Sequence, residues 1–371
     1  MGGEMKITIK GECKMEYRWE VESEVEIFTS RKVKRYLITP MGGYFPVLLK
    51  IQNGDLLAVV RGGDYHVGER GCLDAVRSKD GGKSWFRATP IVNEGPDDRN
   101  PAVAQLRDGT ILVAFFKVNG FTNGKIDNKK IKEGRGRCHL FITRSFDNGQ
   151  TWEKAKPMAG IPPEMCSPFG KMIELPDKTI LAAIYGLDSS GQRDDHSWLF
   201  RSRDGGQTWG DESLIGEGFN ETALLQLPSG KILAALRGYE VDAMWVNESL
   251  DNGYTWSKPR QVTQASEHPG DLLLLPSGKV LLVYGRRLRP YGVRALVSYD
   301  EAHTWDYDHK ITLVADADTP DCGYPSSALL EDGTIGTAYY SVDNETPFVY
   351  TKEHCWGIHC GLVRYREEDI S

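Results

Sequence analysis

The chain reads as an all-β protein, a six-bladed β-propeller forming one domain over residues 1–371. Two internal repeats predict this, and the composition agrees with them. The first is an eight-residue phrase, S-x-D-x-G-x-[TS]-W, at 78–85, 145–152, 202–209 and 249–256, with a worn copy at 298–305. The second is a strand–turn–strand unit that occurs six times, over 44–62, 99–117, 167–186, 220–238, 268–287 and 324–341. A fixed repeat of this kind marks a repeat architecture, and it overrides the two or three domains that length alone suggests. The composition includes 40 Gly, 9 Trp and 16 Tyr, which suits a turn-rich, aromatic-rich β protein.

Each element has a local cause. In the eight-residue phrase, Asp accepts hydrogen bonds from backbone amides close by in the chain, and Gly accepts positive φ. Together they make a tight turn between strands. The Trp then packs its large apolar face back onto the sheet. The Asp of the phrase is therefore read as a turn residue and not as an acid. The second repeat turns at Asn53-Gly54, Asp108-Gly109, Asp177-Lys178, Ser229-Gly230, Ser277-Gly278 and Asp332-Gly333, each followed by a short apolar strand such as 56–60 or 231–236. Successive turns lie about 50 to 70 residues apart, enough for one four-stranded sheet each. The sixth unit lacks the eight-residue phrase, as expected if the ring closes by mixing strands from both ends. Residues 25–28 and 361–365 are the expected closing strands. Residues 119–137 form a long insertion rich in Lys and Gly, expected over one rim of the second blade.

The net charge of −7 argues against a nucleic-acid partner. No apolar run approaches the ~18 residues of a membrane span. Seven Cys without CxxC or metal-ligand spacing point to free buried thiols, with Cys355–Cys360 as one conceivable pair. No metal or other cofactor is expected. Residues 1–7 carry no signal-peptide core, so the expected location is the cytoplasm, or outside the cell if a signal peptide has been removed. Oligomeric state is not legible.

The eight-residue phrases resemble the Asp-boxes of the sialidase (neuraminidase) superfamily, also called BNR repeats, and the resemblance runs along the whole chain. Such boxes also occur in non-enzymatic propellers, so function has to come from the site. A propeller builds its site at one mouth of the central channel. There the ends of the repeat units gather Arg61, Asp64, His66, Asp98, Arg99, Asn100, Asn220, Glu221, Arg237, His268, Arg286, Arg287 and Tyr324. Glu221 and Arg237 stand at the two ends of one hairpin and so reach the same rim.

The resemblance implies a retaining exo-glycosidase. A sialic acid carries a carboxylate on its anomeric carbon, which repels an anionic nucleophile. A neutral Tyr with a carboxylate base avoids that repulsion, and sialidases are the exception to the two-carboxylate rule for this reason. Tyr324, in Cys322-Gly-Tyr324-Pro, is similar to the family's nucleophile, and Glu221, in Asn220-Glu221-Thr222, to its partner. The alternative for Tyr324 is a packed strand residue. The family grips the substrate carboxylate with three Arg, whose planar fork Lys does not match. Arg237 resembles the second and Arg287 the third, with Arg289 and Arg294 as alternatives; Arg286 reads as a rim residue. The first Arg of the family's first-blade motif is missing: this chain has Gly43-Tyr44-Phe45-Pro46, and Arg61 or Arg99 stands nearby. The implied acid/base is Asp64, with Glu69 and Asp74 as rivals. Asn100 belongs to the same rim. His66 and His268 either bind a sugar hydroxyl or satisfy neighbouring backbone. The expected partner is a carbohydrate, a glycan ending in an acidic sugar. A non-hydrolytic glycan- or protein-binding propeller is the second reading, and a glycosidase or lyase acting on another sugar the third.

Overall fold

The computed structural model describes residues 6–7, 18–20, 22–27, 31–40, 42–95, 97–122, 125–127, 138–186, 195–342 and 357–370. Six antiparallel blades follow one another around a ring. Among the described residues the one helical element is a single turn at Glu367–Asp369.

The first blade shows the common plan. Tyr44–Lys50, Leu56–Gly62, Cys72–Ser78 and Thr89–Val92 pair in that order. The strand Leu56–Gly62 is buried at every position, because each blade is sandwiched between two others. Its Leu57 and Val59 pack toward the second blade, while Leu56, Ala58 and Val60 pack toward the sixth. A near-continuous apolar run is what two covered faces demand. The other four inter-blade interfaces are filled in the same way by separate apolar clusters.

The repeated phrases are the rivets of this ring. In the first, Ser78 Oγ donates to Asp80 Oδ1 at 2.8 Å and accepts the Gly82 amide at 2.8 Å. Asp80 Oδ1 accepts the Ser84 amide at 2.9 Å, and Trp85 Nε1 donates to the Gly82 carbonyl at 3.0 Å. Trp85 is fully buried in the interface between the first blade and the sixth. Each later box Trp does the same service at the interface with the preceding blade. The box Asp is thus consumed by turn hydrogen bonds, as its chemistry predicts.

The worn fifth box carries a cost. Ala302 stands at φ 69, where the other boxes place Gly82, Gly149, Gly206 and Gly253 at φ 77 to 85. A Cβ in the left-handed region costs about 1–2 kcal/mol. Ala302→Gly is therefore expected to stabilise the protein by about 1 kcal/mol, read as a higher urea midpoint at unchanged slope. A lower midpoint would contradict this account of the box.

Ring closure differs in detail from the expectation. Ile358–Tyr365 is the third strand of the sixth blade, as anticipated for 361–365, but its partner is Arg31–Thr39. Glu22–Ile27 pairs with Arg31–Thr39 from the outside, so residues 25–27 belong to the outermost strand of the blade; Phe28 lies outside the described residues. Closure is a pairing across most of the chain, and no local pattern distinguishes which N-terminal strand makes it. Of the insertion at 119–137, Phe121–Thr122 and Lys125–Ile126 form a small hairpin, and 128–137 lie outside the described residues. Cys360 is a buried free thiol, and Cys355 is likewise outside the described residues.

Candidate active site at the channel mouth

The innermost strands share one irregularity. At the same end of every blade the register slips against the next strand: between Tyr44 and Val47, Arg99 and Ala102, Met165 and Ser167, Phe219 and Thr222, Glu267 and Gly270, and Gly323 and Ser326. The sequence accounts for most of these bulges. Phe45-Pro46, Asn100-Pro101, His268-Pro269 and Tyr324-Pro325 place a Pro, which has no ladder donor, at the slip. Phe45, Asn100 and Tyr324 adopt φ 52, 44 and 48. Bulky residues hold positive φ at a cost of order 1–3 kcal/mol, and such strain collects at functional sites. Bulges of this kind re-aim side chains, and here they gather Phe45, Asn100, Glu221, His268 and Tyr324 at one mouth.

Tyr324 and Glu221 meet there from different blades. Tyr324 Oη donates to Glu221 Oε1 at 2.5 Å. Glu221 Oε2 accepts Arg237 Nη1 at 2.9 Å, and Arg237 Nε reaches Asp242 Oδ1 at 2.9 Å. Arg237 Nη2 is left without a protein partner among the described residues. Asp242 Oδ2 lies 2.7 Å from His268 Nε2. Burial first, then the Glu221 carboxylate, pushes the Tyr324 phenol well above its ordinary range, while Arg237 and Arg287 pull the other way. The phenol is therefore neutral near pH 7 and needs a base to act as a nucleophile. Burial, with Arg237 and Arg287 nearby, holds His268 below its ordinary value despite Asp242.

Two further cations complete the wall. The Arg287 guanidinium lies 5.7 Å from the Tyr324 ring, and its buried Nε and Nη2 have no hydrogen-bond partner. Arg99 packs its guanidinium between Phe45 and Phe116, at 5.8 and 5.7 Å, with a buried and unpartnered Nε 3.8 Å from Asp97 Oδ2. Burial lowers the Arg99 guanidinium, against Asp97 and the phenols of Tyr185 and Tyr324. Buried guanidinium nitrogens without acceptors are costly. Where the first-blade motif would carry Arg, Tyr44 and Phe45 build an aromatic wall instead. Phe45 lies 4.8 Å from the Tyr324 ring, and Tyr44 lies 4.9 Å from Tyr340.

Several sequence-based expectations are corrected. Arg61 is fully buried and spends its guanidinium on Asp97 Oδ1, at 2.6 Å, and on the carbonyls of Asp64, Tyr65 and Gly68. It staples the 62–71 loop and does not face the mouth. Asp64 uses both carboxylate oxygens within that loop: Oδ1 accepts the Tyr65 amide at 2.9 Å and Oδ2 the Arg70 amide at 3.1 Å. It closes a loop rather than presenting an acid. Of its rivals, Asp74 lies against Cys72 and Gly62 inside the first blade, pushed up to about 6 by burial, and Glu69 is exposed. Arg286 and Arg294 both turn to Glu267, at 2.7 and 3.6 Å, and Arg289 lies over Tyr291. Asn100 Nδ2 reaches Ser167 Oγ at 3.4 Å, and its buried Oδ1 has no partner.

Asp242 and Asp321 stand at the same mouth and were not singled out from the sequence. Their one signal in the sequence is proximity: Asp242 lies five residues after Arg237, and Asp321 three before Tyr324. Asp321 Oδ1 accepts the Tyr340 hydroxyl at 2.6 Å and lies 2.9 Å from His66 Nδ1. Lys171 Nζ bridges Asp271 Oδ2 and the Ser327 carbonyl at 2.6 and 2.7 Å.

A ring of Asp-box blades with this mouth defines a class of protein, and the sequence agrees. The family model for the BNR repeat-like domain matches residues 93–337. The chain belongs to that family. A curated sialidase of Bacteroides fragilis (strain YCH46) is 23% identical over 297 residues, covering 71% of this chain and 53% of that protein. The chain thus spans about half the length of that relative. Among solved structures, a protein of unknown function from Dyadobacter fermentans has a TM-score of 0.73 at 24% identity, covering 92% of this chain and 98% of its own. A Hadza microbial sialidase has a TM-score of 0.69 at 20% identity, covering 97% and 75%. The intramolecular trans-sialidase from Ruminococcus gnavus, solved with oseltamivir carboxylate, has a TM-score of 0.63 at 14% identity, covering 88% and 95%. At these identities the structural likeness establishes the propeller fold.

Proposed function

We propose that the protein is a sialidase-like exo-glycosidase that releases a terminal acidic sugar, sialic acid or a related acid, with retention of configuration. The observation that carries this reading is the 2.5 Å hydrogen bond from the buried Tyr324 hydroxyl to Glu221, flanked by Arg237 and Arg287. Tyr324 Oη attacks the anomeric carbon as its proton passes to Glu221. A neutral nucleophile is suited to a carbon that bears a carboxylate. Arg287 and Arg99, whose buried nitrogens lack partners, and the free Nη2 of Arg237 form the anion cradle. Arg99, from the second blade, takes over the charge that the first blade does not supply. His268 and Asn100 face the same mouth and bind sugar hydroxyls.

The test is a panel of 4-methylumbelliferyl glycosides of sialic acid, other acidic sugars and neutral sugars. Release of an acidic sugar is expected, with the product anomer seen first by NMR having the configuration of the substrate. Release of neutral sugars alone, or silence across the panel, would count against the reading, and silence would favour a binding propeller.

Arg287→Lys tests the cradle separately. Lys keeps the charge and loses the fork. We expect kcat/KM to fall about 10- to 100-fold, mainly through KM, as loss of ground-state carboxylate binding requires. An unchanged KM would remove Arg287 from the binding site.

A further inference from the structure

Asp64 is engaged within its own loop, which leaves protonation of the leaving group without an agent. The 62–71 loop nevertheless offers one. Arg61 and Asp64 tie this loop down from inside, and it carries His66 to the rim above the first and sixth blades. The His66 ring stands edge-on to Phe45 at 5.0 Å and to Tyr44 at 5.5 Å. Phe45 in turn touches the Tyr324 ring at 4.8 Å. Two ring contacts therefore link His66 to the nucleophile, with Phe45 between them.

His66 is oriented as a proton-transfer group. Its Nδ1 lies 2.9 Å from Asp321 Oδ1, which also accepts the Tyr340 hydroxyl. Burial raises Asp321, but the His66 contact, Tyr340 and Arg287 outweigh it and hold the carboxyl below its ordinary range. An anionic acceptor fixes the hydrogen on Nδ1, leaving Nε2 as the position where a proton comes and goes. Nε2 has no protein partner among the described residues, and the side chain is 36% exposed. The arrangement has the parts of a general acid/base: a reachable nitrogen, a second carboxylate that orients it, and a rigid support.

We infer that His66 Nε2 is the acid/base of the reaction and that Asp321 is its positioning residue. This assignment rests on the glycosidase reading above. In the first step the Tyr324 Oη–carbon bond forms and the glycosidic C–O bond breaks. The Tyr324 proton goes to Glu221, and the His66 Nε2 proton goes to the departing oxygen. In the second step water attacks the same carbon and gives its proton to His66 Nε2. The Tyr324–carbon bond breaks, and Glu221 returns the phenol's proton.

The experiment compares two sialosides that differ in their need for an acid, 3′-sialyllactose and 4-nitrophenyl α-sialoside, on the unaltered protein and on His66→Ala, His66→Gln, Asp321→Asn and Asp64→Asn. An alkoxide leaving group needs the proton and a nitrophenolate does not. Both His66 variants should lose about 10²–10⁴-fold in kcat/KM on sialyllactose and less than about tenfold on the nitrophenyl sialoside. Asp321→Asn should show the same split to a smaller extent, a pattern that a merely structural defect does not produce. Equal losses on both substrates, or full activity on sialyllactose, would overturn the assignment, as would finding the split in Asp64→Asn instead. If Tyr324→Phe is silent on both substrates while the His66 variants show no split, the glycosidase reading stands and this inference falls. If the unaltered protein cleaves neither sialoside nor any other acidic glycoside of the panel, both fall.

Discussion

Tyr324→Phe is expected to abolish glycosidase turnover and leave the propeller folded. The change removes one oxygen. That oxygen is buried, donates to Glu221 at 2.5 Å, and belongs to a phenol kept neutral by burial and by the adjacent carboxylate. If Tyr324 is the nucleophile, no covalent intermediate forms without it, and kcat should fall on the order of 10³-fold or more. Glu221 loses a donor but keeps Arg237 through Oε2, so the stability cost should stay near about 1–3 kcal/mol. The measurement is single-turnover hydrolysis beside a denaturation curve. Turnover within tenfold of the unaltered protein would remove Tyr324 from the mechanism.

Glu221 has the second large effect, and two substitutions separate its roles. Glu221→Gln keeps the shape and the contact to Tyr324 but cannot take its proton. kcat should drop by about 10²–10⁴-fold, the range over which a general base acts. Glu221→Ala also removes the carboxylate facing Arg237. The guanidinium retains Asp242 and is 21% exposed, so the loss is partly relieved, at about 1–3 kcal/mol instead of the larger penalty of a fully buried orphan charge. Kinetics and a urea titration on both variants read this. A Gln variant with near-normal kcat would mean that the proton goes elsewhere.

What the sequence revealed, and what it hid, follows from the range of each interaction. The Asp-boxes were legible because their bonds are local: Ser78, Asp80, Gly82 and Trp85 satisfy one another within eight residues. The hairpin units were legible for the same reason. The identity of the closing strand was not, because Arg31–Thr39 meets Ile358–Tyr365 across nearly the whole chain. Tyr324 and Glu221 were picked out by resemblance, and their meeting across 103 residues is a product of the ring. Asp64 misled because a carboxylate on a rim loop looks available; its two amide contacts arise from the path of a loop that no pattern describes. Arg61 misled in the same way, since its partner Asp97 lies beyond the next strands. Asp242 and Asp321 went unnoticed because their importance lies wholly in whom they face.

The aromatic first blade is the chain's main departure from the motif it resembles. Tyr44 and Phe45 stand where that motif carries Arg, and the Arg99 guanidinium of the adjacent blade lies 5.8 Å from the Phe45 ring. Phe45 packs against Tyr324, His66 and Arg99 together, so it sets the spacing between these groups of the site.

The central claim is that a tyrosine becomes covalently attached to the sugar. Incubation with 2,3-difluorosialic acid, followed by digestion and peptide mass spectrometry, tests it most directly. The account predicts one added sugar on the peptide that contains Tyr324, absent from Tyr324→Phe. Hydrolysis of sialosides without any adduct on Tyr324, or an adduct on Glu221, would contradict it.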